Sequence, residues 1–404
     1  MELKLRMTQD NFIERLYLFI WTFYSISYYL LSVSRIPSLY DVTGLFKMIG
    51  YATIFMQILV LIAIRYKLED FIAYIVLILL LFLIEIQNTD RSLMIYVMFI
   101  ILSRQIDFDK FIKYDLRLKT FILLLIFGMC AAGIIDNRGM MVNGSYKQAL
   151  GFGHPNAFCS YVFTMLIEWL CIRYKKMKWF EWILIAILSY AAMKIGGGRS
   201  SGYTFFAVFA LYILATFFDG FFYSKIVRAA FIAITPLMAF FSFWMAGLYG
   251  RGNIIAIELN YAVTGRIRYS YEVLRNYGVK IFGQDLEWGE VGTSSRIILD
   301  NAYVRCAVLW GAILFLLLML VYCVLFAKLL KDHRVDLALM SLFFVVLGFG
   351  ETYMLNVLYN VSLLCLLSRS ADGPSDPKMI IRWRKHSRLK QLRQWQIRIR
   401  LFRL

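Results

Sequence analysis

Charged side chains are scarce in this chain. They make up 17% of 404 residues, against roughly 25% in an ordinary soluble domain. With 61% hydrophobic residues and a mean hydropathy of +0.66, a water-soluble fold of this length has nowhere to hide so much apolar surface. Cysteine is sparse and unpatterned. Cys130, Cys159, Cys171, Cys306, Cys323 and Cys365 lie in or beside apolar segments with no CxxC or CxxxH spacing, which argues against a metal site and a disulfide framework. The N-terminus mixes acids and bases and runs straight into a full-length apolar segment, so a cleavable signal is not expected. Histidine occurs three times, which limits where imidazole chemistry can occur.

What is present is a succession of apolar runs, at about 13–34, 42–64, 71–87, 92–103, 117–135, 155–172, 179–195, 202–222, 226–248, 302–327, 336–350 and 353–368. Each spanning helix needs about 20 mostly apolar residues, so these runs predict an all-α membrane protein with about 12 transmembrane helices. The fourth run is short, and the last two are separated by a few residues. Charge supplies an orientation. The net charge is +18, and this excess is read as topology, not as affinity for nucleic acid. With the N-terminus inside, alternate connections place 30 bases on the cytoplasmic side and 12 on the other, as the positive-inside rule requires of an even number of spans with both ends inside. The longest connection, about 249–301 between spans 9 and 10, then lies outside and is expected to hold short helices of its own. Residues 1–368 form the transmembrane domain in this reading. The basic tail 369–404, where Leu389, Leu392, Trp395, Ile399 and Phe402 recur at near-helical spacing, is either an in-plane helix on anionic lipid or a topology-enforcing tail.

The polar clusters concentrate on the external side. Gly151-Phe152-Gly153-His154-Pro155-Asn156, Gly196-Gly197-Gly198-Arg199-Ser200-Ser201, Thr264-Gly265-Arg266, Asp300-Asn301 and Gly350-Glu351 all fall in outer loops or at outer span ends. His154 is the one imidazole available there, because His333 and His386 are cytoplasmic in this topology; it is a proton carrier or a simple helix cap. Arg199, between glycines and serines at a helix start, suits a phosphate, though lipid headgroups would serve it equally. Arg266 and Arg268 open a helical-looking stretch and suit an anion or a headgroup. Glu351, at a break in an apolar run, is expected either to pair with Arg199 or Arg266 or to act as a base. Asp300 and Asn301 read most simply as an N-cap. Trp288, Tyr261 and Tyr271 offer stacking surfaces for sugar rings. Two arginines, a histidine and acids suit an anionic, lipid-linked substrate whose pyrophosphate leaves under arginine stabilisation. No DxD or paired carboxylates occur on that side, so no metal and no cofactor are expected.

Taken in order, Gly-Phe-Gly-His154-Pro-Asn156, Gly-Gly-Arg199-Ser200-Ser, Thr-Gly-Arg266, Ile281-Phe-Gly-Gln284, Asp300-Asn301-Ala-Tyr and a late Glu351 resemble the Wzy-type oligosaccharide repeat-unit polymerases, related in fold to the O-antigen ligases. The likeness runs from about residue 150 to 355. It implies a metal-independent membrane glycosyltransferase of the cytoplasmic (inner) membrane with a GT-C-like fold. Such an enzyme joins undecaprenyl-diphosphate-linked oligosaccharide units on the membrane's outer face, in capsule, exopolysaccharide or O-antigen biosynthesis. Arg199 and Arg266 match the positions that hold the diphosphate, and His154 and Glu351 match the catalytic positions. Asn156, Ser200, Arg268, Asp300 and Asn301 would support them. A chain-length regulator and a flippase of the same pathway are the implied partners. An O-antigen-type ligase of the same fold is the alternative, followed by a flippase or other transporter. The six-plus-six repeat of major-facilitator transporters and their basic loop after the second span are missing.

Overall fold

The computed structural model describes residues 2–64, 67–88, 92–142, 144–287 and 297–369. The tail from 370, Trp288, Arg65 and Arg91 lie outside the described residues. The chain is mostly helical, in the order α1 Glu2–Tyr28, α2 Thr43–Ala63, α3 Leu68–Ile86, α4 Ser92–Leu102, α5 Phe108–Ala131, α6 Pro155–Arg173, α7 Trp179–Gly196, α8 Arg199–Phe217, α9 Asp219–Phe222, α10 Lys225–Gly250, α11 Ile254–Ala262, α12 Arg266–Tyr277, α13 Ala302–Arg305, α14 Gly311–Lys331 and α15 Val335–Leu347. A small antiparallel hairpin, β1 Gly139–Val142 with β2 Ser145–Gln148, is a departure from helix that the apolar pattern did not announce.

Among the described residues, seven helical segments are long and apolar enough to cross a membrane: Asn11–Val33, Thr43–Ala63, Pro155–Arg173, Trp179–Gly196, Arg199–Phe217, Lys225–Gly250 and Ala302–Lys331. This is a multi-pass, all-α membrane protein. Its exposed faces agree: Phe55, Ile62, Val76, Leu79 and Ile187 all turn outward and more than half exposed. That apolar surface is intolerable in water and ordinary in lipid. The runs at 71–87 and 117–135 are helical in α3 and α5, helices that also carry charges, at Glu69, Asp70 and Glu85 and at Asp115, Arg117 and Lys119. Runs four and eleven form the shorter helices α4 and α15.

The last apolar run, 353–368, departs from expectation most. It contains two 3-10 turns, Thr352–Leu355 and Val361–Leu366, and no α-helix. Side chains satisfy the carbonyls that helix would have used. Tyr322 Oη and Asn360 Nδ2 donate to Met354 O (3.1 and 3.0 Å), Tyr29 Oη to Leu358 O (2.9 Å), and Ser103 Oγ to Leu364 O (3.0 Å). Lys328 Nζ takes Cys365 O and Leu366 O at 2.7 and 2.9 Å. The segment starts beside α12 at Glu351 and ends where Arg369 N donates to Ile106 O at the start of α5. Nearly all of it is buried. Backbone outside α-helix is tolerated within a membrane bundle only where protein surrounds it, and this segment is so surrounded.

The connection 249–301 holds the short helices expected of it, α11 and α12. The returning loop is pinned to a π-helical turn at Cys306–Trp310, with Gln284 N donating to Leu309 O (3.1 Å) and Ala312 N to Lys280 O (2.9 Å). Gly283 makes that approach possible. Its φ is +81°, and a Cβ there would fall 1.9 Å from Leu309 O. The Ile-Phe-Gly-Gln string is thus a packing device.

Candidate functional site

At one end of the bundle four elements converge on Arg266. Gly265, with φ +85°, turns the chain into α12, so Arg266 is its first residue and points back into the bundle. Its side chain is 8% exposed. Nη2 donates to Glu351 Oε1 at 2.6 Å, and Nη1 reaches Thr264 Oγ1 (2.9 Å), Ser200 Oγ (3.1 Å) and Val263 O (3.4 Å). Nε is buried with no acceptor in hydrogen-bonding geometry, 3.5 Å from Asp300 Oδ2. Arg266, expected in an outer loop and as a candidate partner of Glu351, is a buried guanidinium engaged by four residues. A buried guanidinium must be paired and hydrogen-bonded, and Glu351 meets that need.

Glu351 lies past the end of α15, beyond the spanning helices. Burial pushes its carboxyl up to about 7; Arg266 pulls it down and Asp300 adds to the rise. Of the two partners considered for Glu351, the structure selects Arg266. Gly350 leaves room for the contact, since a Cβ there would meet Ser200 Oγ at 3.1 Å and Arg266 Cδ at 3.5 Å.

Ser200 and Arg199 open α8. The turn from α7 into α8 passes through Gly197 at φ +73°, and no side chain caps the α8 N-terminus at Gly198. Gly198 packs against Cys159 on α6, 3.9 Å from Asn156 Oδ1 by its would-be Cβ. So the starts of α6 and α8 abut. His154 is exposed and caps α6, its Nδ1 accepting from Asn156 N at 3.1 Å with Pro155 in the first turn. The capping alternative for His154 is therefore realised, whatever else its other nitrogen does. Arg199 is exposed next to Ser200.

The remaining candidates divide. Asp300, 41% exposed at its side chain, stands at the rim of the Arg266 pair. Asn301 is a structural cap: Oδ1 accepts from Tyr303 N (3.0 Å) and Val304 N (3.1 Å), while Nδ2 donates to Ser242 Oγ and Phe349 O (both 3.0 Å). Arg268 faces away, over the Tyr269 ring at 4.8 Å and 3.6 Å from Glu272. Tyr261 is exposed on α11, and Tyr271 packs on Tyr249. No group of His, Cys, Asp and Glu able to hold a metal occurs among the described residues.

Comparison with protein-family models, with curated proteins and with solved structures finds no match to this chain. The site must be read from its own geometry.

Sequence reasoning missed one ionic constellation. Lys119 on α5 lies 2.6 Å from Asp115 Oδ2 and also pairs with Glu168 on α6, all three essentially without solvent exposure. Trp21 Nε1 of α1 donates to Asp115 Oδ1 at 2.7 Å, and Tyr161 Oη to Lys119 O at 2.8 Å. Lys119, one of the 30 bases assigned to the cytoplasmic side, lies with Asp115 inside α5 and the bundle. The available signal was Glu168, an acid within an apolar run, which demands a cation on a neighbouring helix. Asp115 and Lys119, four apart on one helix face, supply the match.

Proposed function

We propose that this chain is a metal-independent membrane glycosyltransferase. In this reading it polymerises diphosphate-lipid-linked oligosaccharide units, undecaprenyl diphosphate being the carrier, on the outer face of the cytoplasmic membrane. The scaffold is a GT-C-like bundle of about twelve crossings with both ends inside, the buried segment 353–368 serving as the last. The observation that carries the reading is the Arg266–Glu351 pair beside the uncapped start of α8. It joins a guanidinium, helix N–H groups and a carboxylate titrating near neutrality at one end of an apolar bundle.

Arg266 and the α8 start, with Arg199 at the rim, would hold the donor diphosphate and stabilise it as a leaving group. Glu351 is assigned as the base that takes the proton of the attacking hydroxyl. Its carboxyl touches the arginine, whereas the Nδ1 of His154 is committed to its helix. A group poised near neutral pH suits proton transfer. His154, Asn156 and Ser200 would orient the acceptor and donor around that pair.

Polymer length in cells lacking the gene, complemented at matched membrane abundance, tests the assignment. Wild type is expected to restore long chains, and Arg266→Ala and Glu351→Gln to leave single repeat units. Long chains in the deletion strain would eliminate the polymerase reading. Long chains made by both variants would eliminate the site. If repeat units accumulate unattached while polymer still forms, the acceptor is a lipid core and the chain is a ligase.

A further inference from the structure

Arg266 cannot hold a diphosphate in the state described, because protein acceptors already occupy it. Glu351 Oε1 takes Nη2, and Ser200, Thr264 and Val263 O share Nη1. The occupants differ in what they lose by leaving. The two hydroxyls and the carbonyl are neutral and adaptable; two carboxylates compete with an incoming anion, Asp300 half-exposed at 3.5 Å from Nε and Glu351 buried and hydrogen-bonded to Nη2. Two features point to a ligand's place. Arg266 Nε is buried without an acceptor in hydrogen-bonding geometry, and the α8 N-terminus, next to Ser200, has no side-chain cap.

We propose that Glu351 is a displaceable occupant of Arg266, and that the donor's diphosphate takes over the guanidinium and thereby uncovers the carboxylate as a base. This rests on the polymerase reading of the site and adds its order of events: donor first, base second. In the resting pair the carboxylate's basicity is spent on Arg266. Once the diphosphate neutralises that cation, a buried carboxylate beside a polyanion holds a proton more strongly. The ionisable groups facing Glu351 are Arg266 from α12, Asp300 from the segment before α13, Cys159 from α6, and Tyr353 and Tyr359 from its own segment. Among these, Arg266 is the one that favours the ionised form, so losing it shifts the balance in one direction.

The chemistry balances. The acceptor hydroxyl oxygen forms a bond to the anomeric carbon, and the bond from that carbon to the phosphate oxygen breaks with its electron pair going to the diphosphate. The hydroxyl proton passes to Glu351. When the lipid diphosphate departs, Glu351 releases that proton to solvent and closes on Arg266 again. Without donor the base stays covered, which protects against idle proton transfer.

The test is calorimetric titration of the full chain in lipid nanodiscs with inorganic pyrophosphate, in buffers of different ionisation enthalpy, at a pH about one unit above the Glu351 midpoint. Wild type is expected to take up a fraction of a proton more per pyrophosphate than E351Q, the remaining carboxylate staying ionised to serve as the base, and E351Q to bind several-fold more tightly. D300N should keep the wild-type difference, which assigns the proton to Glu351 and not to the rim acid. Equal proton counts and equal affinities in wild type and E351Q would overturn the displacement while leaving an anion site. Pyrophosphate binding that is absent, or unaffected by R266A, would overturn the diphosphate reading itself. Should E351Q fail to fold, E351A carries the same comparison.

Discussion

Glu351 illustrates how one position can be energetically costly and chemically useful at once. Its carboxyl is held up to about 7 against an ordinary value of 4.5, with burial the leading cause. The native state then retains a proton that the unfolded chain has lost over that interval, so the stability Glu351 contributes is fully present below about 4.5 and is lost as pH rises through about 7. Thermal melts of the detergent-solubilised protein across this range are expected to show that decline, and Glu351→Gln is expected to flatten it. Gly283 makes a second prediction at this scale. Its positive φ and the Leu309 carbonyl 1.9 Å from a would-be Cβ leave no room for a side chain. Gly283→Ala should cost at least about 2 kcal/mol, visible as a lowered melting temperature. The same change at Gly252, which also has positive φ but open space, should cost less.

Between helices, the Lys119 triad ties α5 to α6 and, through Trp21, to α1. A buried ion pair contributes little net stability when intact, because desolvation offsets attraction, yet breaking one partner strands the others. Lys119→Met alone is therefore expected to destabilise by about 3–5 kcal/mol. The triple change to Met, Asn and Gln at 119, 115 and 168 is expected to recover most of that loss. Unfolding in denaturing detergent, followed by helical circular dichroism, measures both. If the single change cost nothing, the triad would not be a dry ionic contact. The 351–369 segment belongs to the same scale: it stays out of α-helix because Tyr29, Ser103, Tyr322, Lys328 and Asn360 supply the hydrogen bonds that an α-helix would have made.

For the whole molecule, the site end and the opposite end differ in kind. The first gathers His154, Arg199, Arg266 and Glu351. The second holds Arg334, paired with Asp109 at 2.7 Å and Asp336 at 2.9 Å, and Arg173 paired with Glu181 at 3.0 Å. The proposed orientation puts the first end outside. Ser38 precedes α2 and Lys176 follows α6, both exposed. In intact cells, cysteine at 38 is expected to react with a membrane-impermeant maleimide, and cysteine at 176 only after permeabilisation. The reverse pattern would invert the topology and remove the outer-face reading.

The amino-acid order alone determined that this chain belongs in a membrane, where α6, α8 and α12 begin and which polar strings share an end. Those properties follow from local composition, capping chemistry and the cost of exposing apolar surface. Pro155 after His154, the glycines before Arg199 and Thr-Gly before Arg266 each predicted a helix start, and each is one. Only the tertiary structure decided that Glu351 closes on Arg266 and not on Arg199, that Lys119 lies inside the bundle, and that the last apolar run is a buried segment of 3-10 turns. Each of these depends on which side chains from distant segments satisfy a buried charge or a bare carbonyl. That pairing is set by three-dimensional proximity, which no local pattern encodes.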